Sequence, residues 1–261
     1  MQTANKWTAL QVRIAIAILS LNALALSKNV ISLIIADLIQ TYPEYPVSTI
    51  QLIFSTTTGM AVVGSLLCIW LEKRMTLKSM SMLTLASILI GGALGLAFAK
   101  TSVPMLFLSS ILIGIGMGLI TPLNGINIAN HFEGADLVKM NAQNSVAATV
   151  GSVVFPLIGG LLVVIDWPCV YWIFFLSIPV MIITIIVQPR EELQRAPRVE
   201  GGAPAKVKVW SPALICWVIE SFFAGLCWMV YQSNASSLFQ GLGFANYAQM
   251  ASYGSFLFAG M

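Results

Sequence analysis

Long stretches without a charged side chain are the main feature of this sequence. Six of them, each longer than 20 residues, contain no Asp, Glu, Lys or Arg, and the longest is 221–261. A helix needs about 20 apolar residues to cross the hydrocarbon core of a bilayer. Because 58% of the chain is hydrophobic and 9% is charged, it lacks the polar groups to cover a soluble domain. We therefore predict membrane spans in the uncharged runs 45–71, 79–99, 101–130, 140–165 and 167–189.

The runs favour α-helices over the strands of a membrane barrel. Barrel strands alternate apolar and polar residues over about ten positions, whereas these runs are apolar on all sides and much longer. Only helices and closed barrels satisfy every backbone polar group in lipid. We predict an all-α, polytopic helical bundle with six complete spans, a seventh and part of an eighth. The predicted bounds are 13–38, 47–71, 78–99, 104–130, 142–165, 168–188 and 212–236, with the eighth beginning near 245.

The N-terminus admits two interpretations. Its polar start, its apolar run and the Ala23-Leu24-Ala25 triplet are also typical of a cleaved secretory signal. The apolar character continues to Ala36, and further spans follow, which favours an uncleaved first span.

Basic residues predict the orientation of the spans. With the N-terminus in the cytoplasm, the external loops hold only Lys100, and Lys28 lies within span one. Cytoplasmic loops of membrane proteins are enriched in Lys and Arg, so we expect an integral membrane protein with a cytoplasmic N-terminus. The eleven predicted cytoplasmic basic residues are Lys6, Arg13, Lys73, Arg74, Lys78, Lys139, Arg190, Arg195, Arg198, Lys206 and Lys208.

Several classes of protein do not fit the sequence. His131 is the only histidine, and the four cysteines form no C-x-x-C pair, so we expect neither a metal site nor the catalytic cluster of a membrane enzyme. A net charge of +3 does not indicate nucleic-acid binding. No G-x-x-x-x-G-K-[ST] loop is present, so we do not expect ATP to be the direct energy source. The expected partners are the lipid bilayer and a small-molecule substrate; the oligomeric state stays open.

A charged segment divides the chain. Residues 189–210 contain eight charged residues together with several prolines and glycines, which is typical of a flexible linker. We predict an N-terminal six-helix half at 1–188, a cytoplasmic linker at 189–210 and the start of a second half at 211–261. Because about four more helices would complete that half, we expect a fragment or a truncated product.

Three motifs resemble those of the major facilitator superfamily of transporters. After span two, Gly64, Leu71, Arg74 and Lys78 match the family's Leu-x-Asp-Arg-x-Gly-Arg-Lys loop and the glycine before it. Lys73 stands at the aspartate position and Thr76 at the glycine position. In the family this loop helps to close the cytoplasmic side through charge pairs; Glu72 is the candidate substitute here.

The other two motifs lie in spans four and five. Span four contains Gly114, Gly116, Gly118 and Pro122, similar to the family's glycine-rich fourth helix, with Ser110 at the place of a frequent arginine. In span five, Gly151, Pro156, Gly159 and Gly160 match the antiporter-type signature Gly-x-x-x-Gly-Pro-x-x-Gly-Gly, and Phe155 replaces one glycine. Such residues let helices bend and pack closely. The alternative is tight packing without a mechanistic role.

Polar residues within the spans are the candidate substrate or coupling site. A Lys at the centre of a membrane helix costs about 2.5–3.5 kcal/mol on insertion scales, so Lys28 is expected to face a cavity or a partner. On a regular α-helix it shares a broad face with Ser20, Ser27 and Ser32, next to Asn22 and Asn29. In span seven, Glu220, Trp228 and Tyr231 lie on one face with Trp217, Cys227 and Asn234.

A direct pair between Lys28 and Glu220 is not expected. Aligning spans one and seven places Glu220 opposite Ser20, about 12 Å of helix rise from Lys28. The resemblance implies that both spans line a central cavity. Asn124, Asn127 and Ser55–Thr58 are expected to pack helices together rather than to bind substrate.

The resemblance implies a secondary transporter that moves a small solute by alternating access, as an efflux permease or antiporter. No cofactor is expected, and coupling to protons or sodium is left open. The alternative hypothesis is a non-transporting membrane half that acts as an interaction or regulatory partner.

Overall fold

A computed structural model describes residues 7–188 and the scattered helical residues 216, 219, 220, 222–227, 230 and 234. Within them, six helical spans are long and apolar enough to cross a membrane. The spans predicted at 212–236 and from 245, and the linker at 189–210, lie outside the described residues except for those scattered positions. The spans are span one Ala9–Thr41, span two Val47–Leu71, span three Leu77–Phe98, span four Val103–His131, span five Gly134–Ile165 and span six Trp167–Val187.

Local sequence signals set where the spans begin. Thr8 caps span one through a reciprocal capping box with Gln11, and Thr76 accepts a hydrogen bond from the Ser79 amide at the start of span three. Pro104 and Pro168 lie in the first turns of spans four and six, where a missing amide hydrogen costs nothing. Gly134 begins span five with φ 55°, a conformation that favours glycine.

Two spans are not regular α-helices throughout. Span one consists of an α-helix at Ala9–Ala23, a 3₁₀ segment at Ser27–Ile34 and a short α-helix at Ile35–Thr41. Span six begins as a 3₁₀ segment at Trp167–Leu176 and continues as an α-helix at Ser177–Val187. The single polar face predicted for span one from α-helical spacing therefore does not hold, because a 3₁₀ helix turns by about 120° per residue rather than about 100°.

Span four is the centre of the bundle. It packs along spans two and three, while span one packs against spans five and six. Side chains from all six spans form one buried apolar cluster that includes Leu38, Phe54, Leu85, Leu119, Phe155 and Tyr171.

Hydrogen bonds at the two ends of the bundle show that the spans alternate in direction. At one end, Gln11 donates to the His131 carbonyl (3.3 Å) and Lys78 donates to the Gln188 carbonyl (2.9 Å). At the other end, the Tyr42 hydroxyl donates to the Ala99 carbonyl (2.9 Å). We call the first end, which carries the N-terminus, the N-terminal face.

Candidate functional site

Lys28 lies in the 3₁₀ segment of span one and is half-buried. Within the part of the chain that the structure describes, its ammonium group has no hydrogen-bond acceptor and no acidic partner. The ion pair among the described residues joins Lys100 and Asp166 (2.6 Å), near the ends of spans three and five. Lys28 therefore lies near the middle of a membrane span without an ion-pair partner among the described residues.

The polar residues predicted to accompany Lys28 mostly have partners in the protein. Asn22 is buried and donates to the Asn144 carbonyl of span five (2.6 Å). Ser27 is buried with its hydroxyl 3.9 Å from the sulfur of Met117 in span four. Ser32 is buried and donates to the Asn29 carbonyl (2.7 Å). These three side chains therefore hold span one together or join it to its neighbours.

Asn29 and Ser20 differ in their surroundings. Ser20 is half-buried and donates to the Ala17 carbonyl (3.0 Å). Asn29 is half-buried beside Lys28, and its side-chain amide has no hydrogen-bond partner among the described residues. Lys28 and Asn29 thus form a pair of adjacent polar side chains that the described protein leaves available.

Only part of the predicted site in span seven can be located. Glu220 is helical and exposed, whereas Trp228 and Tyr231 lie outside the described residues. Gln51 of span two donates to the Asn234 side chain (3.1 Å). The predicted polar face of span seven therefore contacts span two at this one described position.

The glycines of the second and fourth spans bring two helix backbones into contact. A Cβ atom on Gly64 would overlap the Ile115 carbonyl of span four. On Gly114 it would overlap the Thr57 carbonyl, and on Gly118 the Ala61 carbonyl, both in span two. All three positions therefore require a missing side chain, which is the small-residue packing typical of membrane helices.

The span five motif makes a similar contact with span one. A Cβ on Gly151 would overlap the Ala23 carbonyl, and a Cβ on Gly159 would lie 2.7 Å from Val30. Pro156 and Gly160 are buried within the same span. Gly151 meets the end of the first α-helix of span one, and Gly159 meets the 3₁₀ segment. The motif thus supports span one on both sides of Lys28.

The basic residues of the loop motif have different surroundings from one another. Arg74 is exposed and stacks over the ring of Trp70, 4.3 Å from its centroid. Lys78 donates to the carbonyls of Ile185 (2.7 Å) and Gln188 (2.9 Å) at the end of span six. Arg13 donates to the neighbouring Ile186 carbonyl (2.9 Å). Spans one and three therefore supply the cations that cap span six.

A small pocket near the N-terminal face, lined by apolar and polar side chains, was not predicted. It measures about 10 Å³, enough for about one water molecule, and it lies between spans one, three, four and six. Asn124 and Asn127 were predicted to act in packing, and both are buried here. Asn124 donates to the Ile18 carbonyl (3.4 Å), and Asn127 accepts from Gln188 (3.3 Å). The pocket needs residues of four spans, so spacing within one span could not reveal it.

A row of polar side chains on span five was also missed. Asn141, Ser145, Thr149 and Ser152 recur at spacings of four and three residues, a signal visible in the sequence. Each donates to a carbonyl three or four residues earlier in its own helix. Their hydrogen bonds are satisfied locally, so nothing in this row requires a ligand.

Tyr42 joins the ends of spans one and three that lie opposite the N-terminal face, through its bond to the Ala99 carbonyl. Burial raises the pKa of its hydroxyl, and the nearby Glu44 carboxylate and Tyr45 raise it further. The hydroxyl therefore stays protonated, and able to donate, up to a higher pH than an ordinary tyrosine.

Among the described residues, no group of three His, Cys, Asp or Glu side chains is placed so that it could hold a metal ion. The six apolar spans, joined at alternating ends, define an integral membrane protein of the helical-bundle class. The chain matches the Major Facilitator Superfamily over residues 16–261 and belongs to that family.

Comparison with solved structures supports the same fold. The chain is similar to the crystal structure of a D-xylose-proton symporter, with a TM-score of 0.63 and 15% sequence identity. The alignment covers 95% of this chain and 65% of the symporter, so the chain spans less than two thirds of that protein. At this identity the likeness shows a common fold. A comparison with curated proteins finds no match.

Proposed function

We propose that this protein is part of a secondary active transporter that exports a small solute in exchange for an ion by alternating access. Membership of the Major Facilitator Superfamily is the observation that carries the proposal. The likeness to a proton-coupled symporter supports coupling to an ion gradient. The direction of transport rests on the antiporter-type motif of span five, formed here by Gly151, Pro156, Gly159 and Gly160.

The packing of the described half suits such a mechanism. Close backbone contacts at Gly118 and Gly151 make spans two and four, and spans one and five, into tightly packed pairs. Tightly packed helices move together, as rocking of one half against the other requires. The proposed solute site lies on span one around Lys28, and Glu220 of span seven is a second candidate residue for solute binding or coupling. We place the protein in the bacterial inner membrane with its N-terminus in the cytoplasm.

Transport in everted membrane vesicles tests the proposal. A proton or sodium gradient is imposed across the membrane of vesicles that contain the full-length protein. Solutes are then added one at a time. Export by exchange predicts that a transported solute enters everted vesicles and collapses the gradient, while vesicles without the protein do not respond. Accumulation in right-side-out vesicles driven by an inward gradient would instead show symport and contradict the proposed direction.

Two substitutions test the site assignment within that assay. Lys28→Ala removes the basic side chain within span one. Glu220→Gln removes the acidic charge of span seven while keeping a side chain of nearly the same size. We expect at least one of them to reduce flux or change its pH dependence. If both leave flux and its pH dependence unchanged, the assignment of these residues to the transport path is wrong.

A further inference from the structure

The charge of Lys28 is not balanced by any described side chain. It is half-buried in the 3₁₀ segment of span one, and no described carboxylate lies within ion-pair distance of it. Intramembrane cations are rare, and they usually pair with an anion or face a water-filled cavity. Lys28 is therefore expected to face either water in a cavity or a negative group that the described residues do not supply.

Three other cations at the ends of the described spans are already engaged. Lys78 and Arg13 donate to carbonyls at the end of span six, and Lys100 pairs with Asp166. Beside Lys28, the side chains of Asn22 and Ser32 are bonded within the protein. The available donors are the ammonium of Lys28 and the side-chain amide of its neighbour Asn29.

Glu220 is the acidic residue of the segment 211–261 that could pair with Lys28. It is exposed, and the alignment of spans one and seven puts it about 12 Å of helix rise from Lys28. A direct pair between them is therefore not favoured by the register.

We propose that Lys28 and Asn29 bind the negatively charged group of the transported solute, and that this solute is a small organic monoanion. The proposal rests on the proposed transport function and adds the class of substrate to it. One ammonium balances one negative charge, and the amide of the neighbouring residue is a further hydrogen-bond donor. A phosphate dianion would need more cations, and Arg13 and Lys78 are bound elsewhere.

A charge-sensitive labelling experiment tests this inference without knowing the solute. In the full-length protein, Cys68, Cys169, Cys216 and Cys227 are replaced by serine, and Asn29→Cys is added. Membrane vesicles are then treated with methanethiosulfonate reagents that carry either a sulfonate anion or a trimethylammonium cation. Each rate is divided by the rate of the same reagent with free cysteine, so that only the effect of the site remains.

The proposal predicts that Cys at position 29 reacts about tenfold or more faster with the anionic reagent after this correction. The preference should disappear in the Lys28→Gln background and persist in the Lys28→Arg background. A matched control retains Cys169 as its single native cysteine. This residue is half-buried at the end of the bundle opposite the N-terminal face. Its relative rates should not change with Lys28→Gln, which also shows that the variant is folded.

Three results would overturn the inference. Equal corrected rates would mean that an acidic group of the protein neutralises Lys28 or that Lys28 carries no charge. A preference that survives Lys28→Gln would place the positive field elsewhere. No reaction with either reagent, while Cys169 still reacts, would show that position 29 is closed to water. Because labelling does not measure flux, failure here is separate from failure of the transport assay.

Discussion

Gly118 of span four lies against the Ala61 carbonyl of span two, where a Cβ atom would overlap the backbone. Seven residues along the same helix, Gly125 is exposed and has nothing within 4 Å of the position of a Cβ atom. The two glycines share one helix but not one role. The first allows two helices to touch, whereas the second has no neighbour among the described residues.

Replacing these two glycines by alanine should have opposite effects on stability. Gly118→Ala forces spans two and four apart and should destabilise the bundle by about 1–3 kcal/mol, the usual cost of overpacking. Gly125→Ala adds only helix propensity and should be neutral or stabilising by up to about 1 kcal/mol. Thermal unfolding of the detergent-purified protein measures both variants. Equal melting temperatures for the two variants would contradict the close contact at Gly118.

Single residues also show where sequence reasoning reaches its limit. The glycines of spans two, four and five were selected by a family motif, and the structure gives each of Gly64, Gly114 and Gly151 a backbone contact. Asn22 was instead grouped with Lys28, yet it bonds to the Asn144 carbonyl. Its partner lies 122 residues away in the chain. No spacing rule within one helix can predict such a partner.

At the scale of elements, the existence of the six spans was predictable, but their internal geometry was not. Length and absence of charge set the spans because lipid demands about 20 apolar residues. The 3₁₀ segment at Ser27–Ile34 contains no Pro or Gly from which a change of helix type could be predicted. It packs against span five, where Gly159 meets Val30. The change of helix type therefore occurs where span one contacts another helix. The residue pattern of span one alone does not show such a contact.

The end of span six provides an element-scale prediction. Its last carbonyls have no partner within the helix, and Lys78 and Arg13 bind those of Ile185 and Ile186. Lys78→Gln removes a cation from a helix C-terminus, which is worth about 0.3–1 kcal/mol. Backbone amides at 182–188 should then exchange hydrogen about two- to fivefold faster in hydrogen-exchange mass spectrometry.

Lys73→Gln is the matched control, because Lys73 is exposed in the adjacent loop and makes no described hydrogen bond. It removes the same charge, so exchange at 182–188 should stay as in the unmodified protein. Faster exchange in both variants would point to a general effect of charge and not to the contact made by Lys78.

At the scale of the whole molecule, the described half is an up-and-down bundle with two chemically different ends. The N-terminal face carries Arg13, Lys73, Arg74, Lys78 and Lys139, whereas the described loops at the opposite end carry Lys100, which is paired with Asp166. Membrane insertion retains basic segments on the cytoplasmic side. The unequal distribution of basic residues between alternate loops of the sequence thus becomes a difference between the two end surfaces of the bundle.

Cysteine labelling in intact cells tests the resulting orientation. In the background without native cysteines, Glu72→Cys lies on the N-terminal face and Thr101→Cys lies at the opposite end, and both positions are exposed. If the N-terminal face is cytoplasmic, a membrane-impermeant thiol reagent should label Thr101→Cys in intact cells and Glu72→Cys only after permeabilisation. The two variants keep every Lys and Arg, so neither alters the charges that direct insertion. Labelling of Glu72→Cys in intact cells, with Thr101→Cys protected, would mean that the bundle is inserted the other way round.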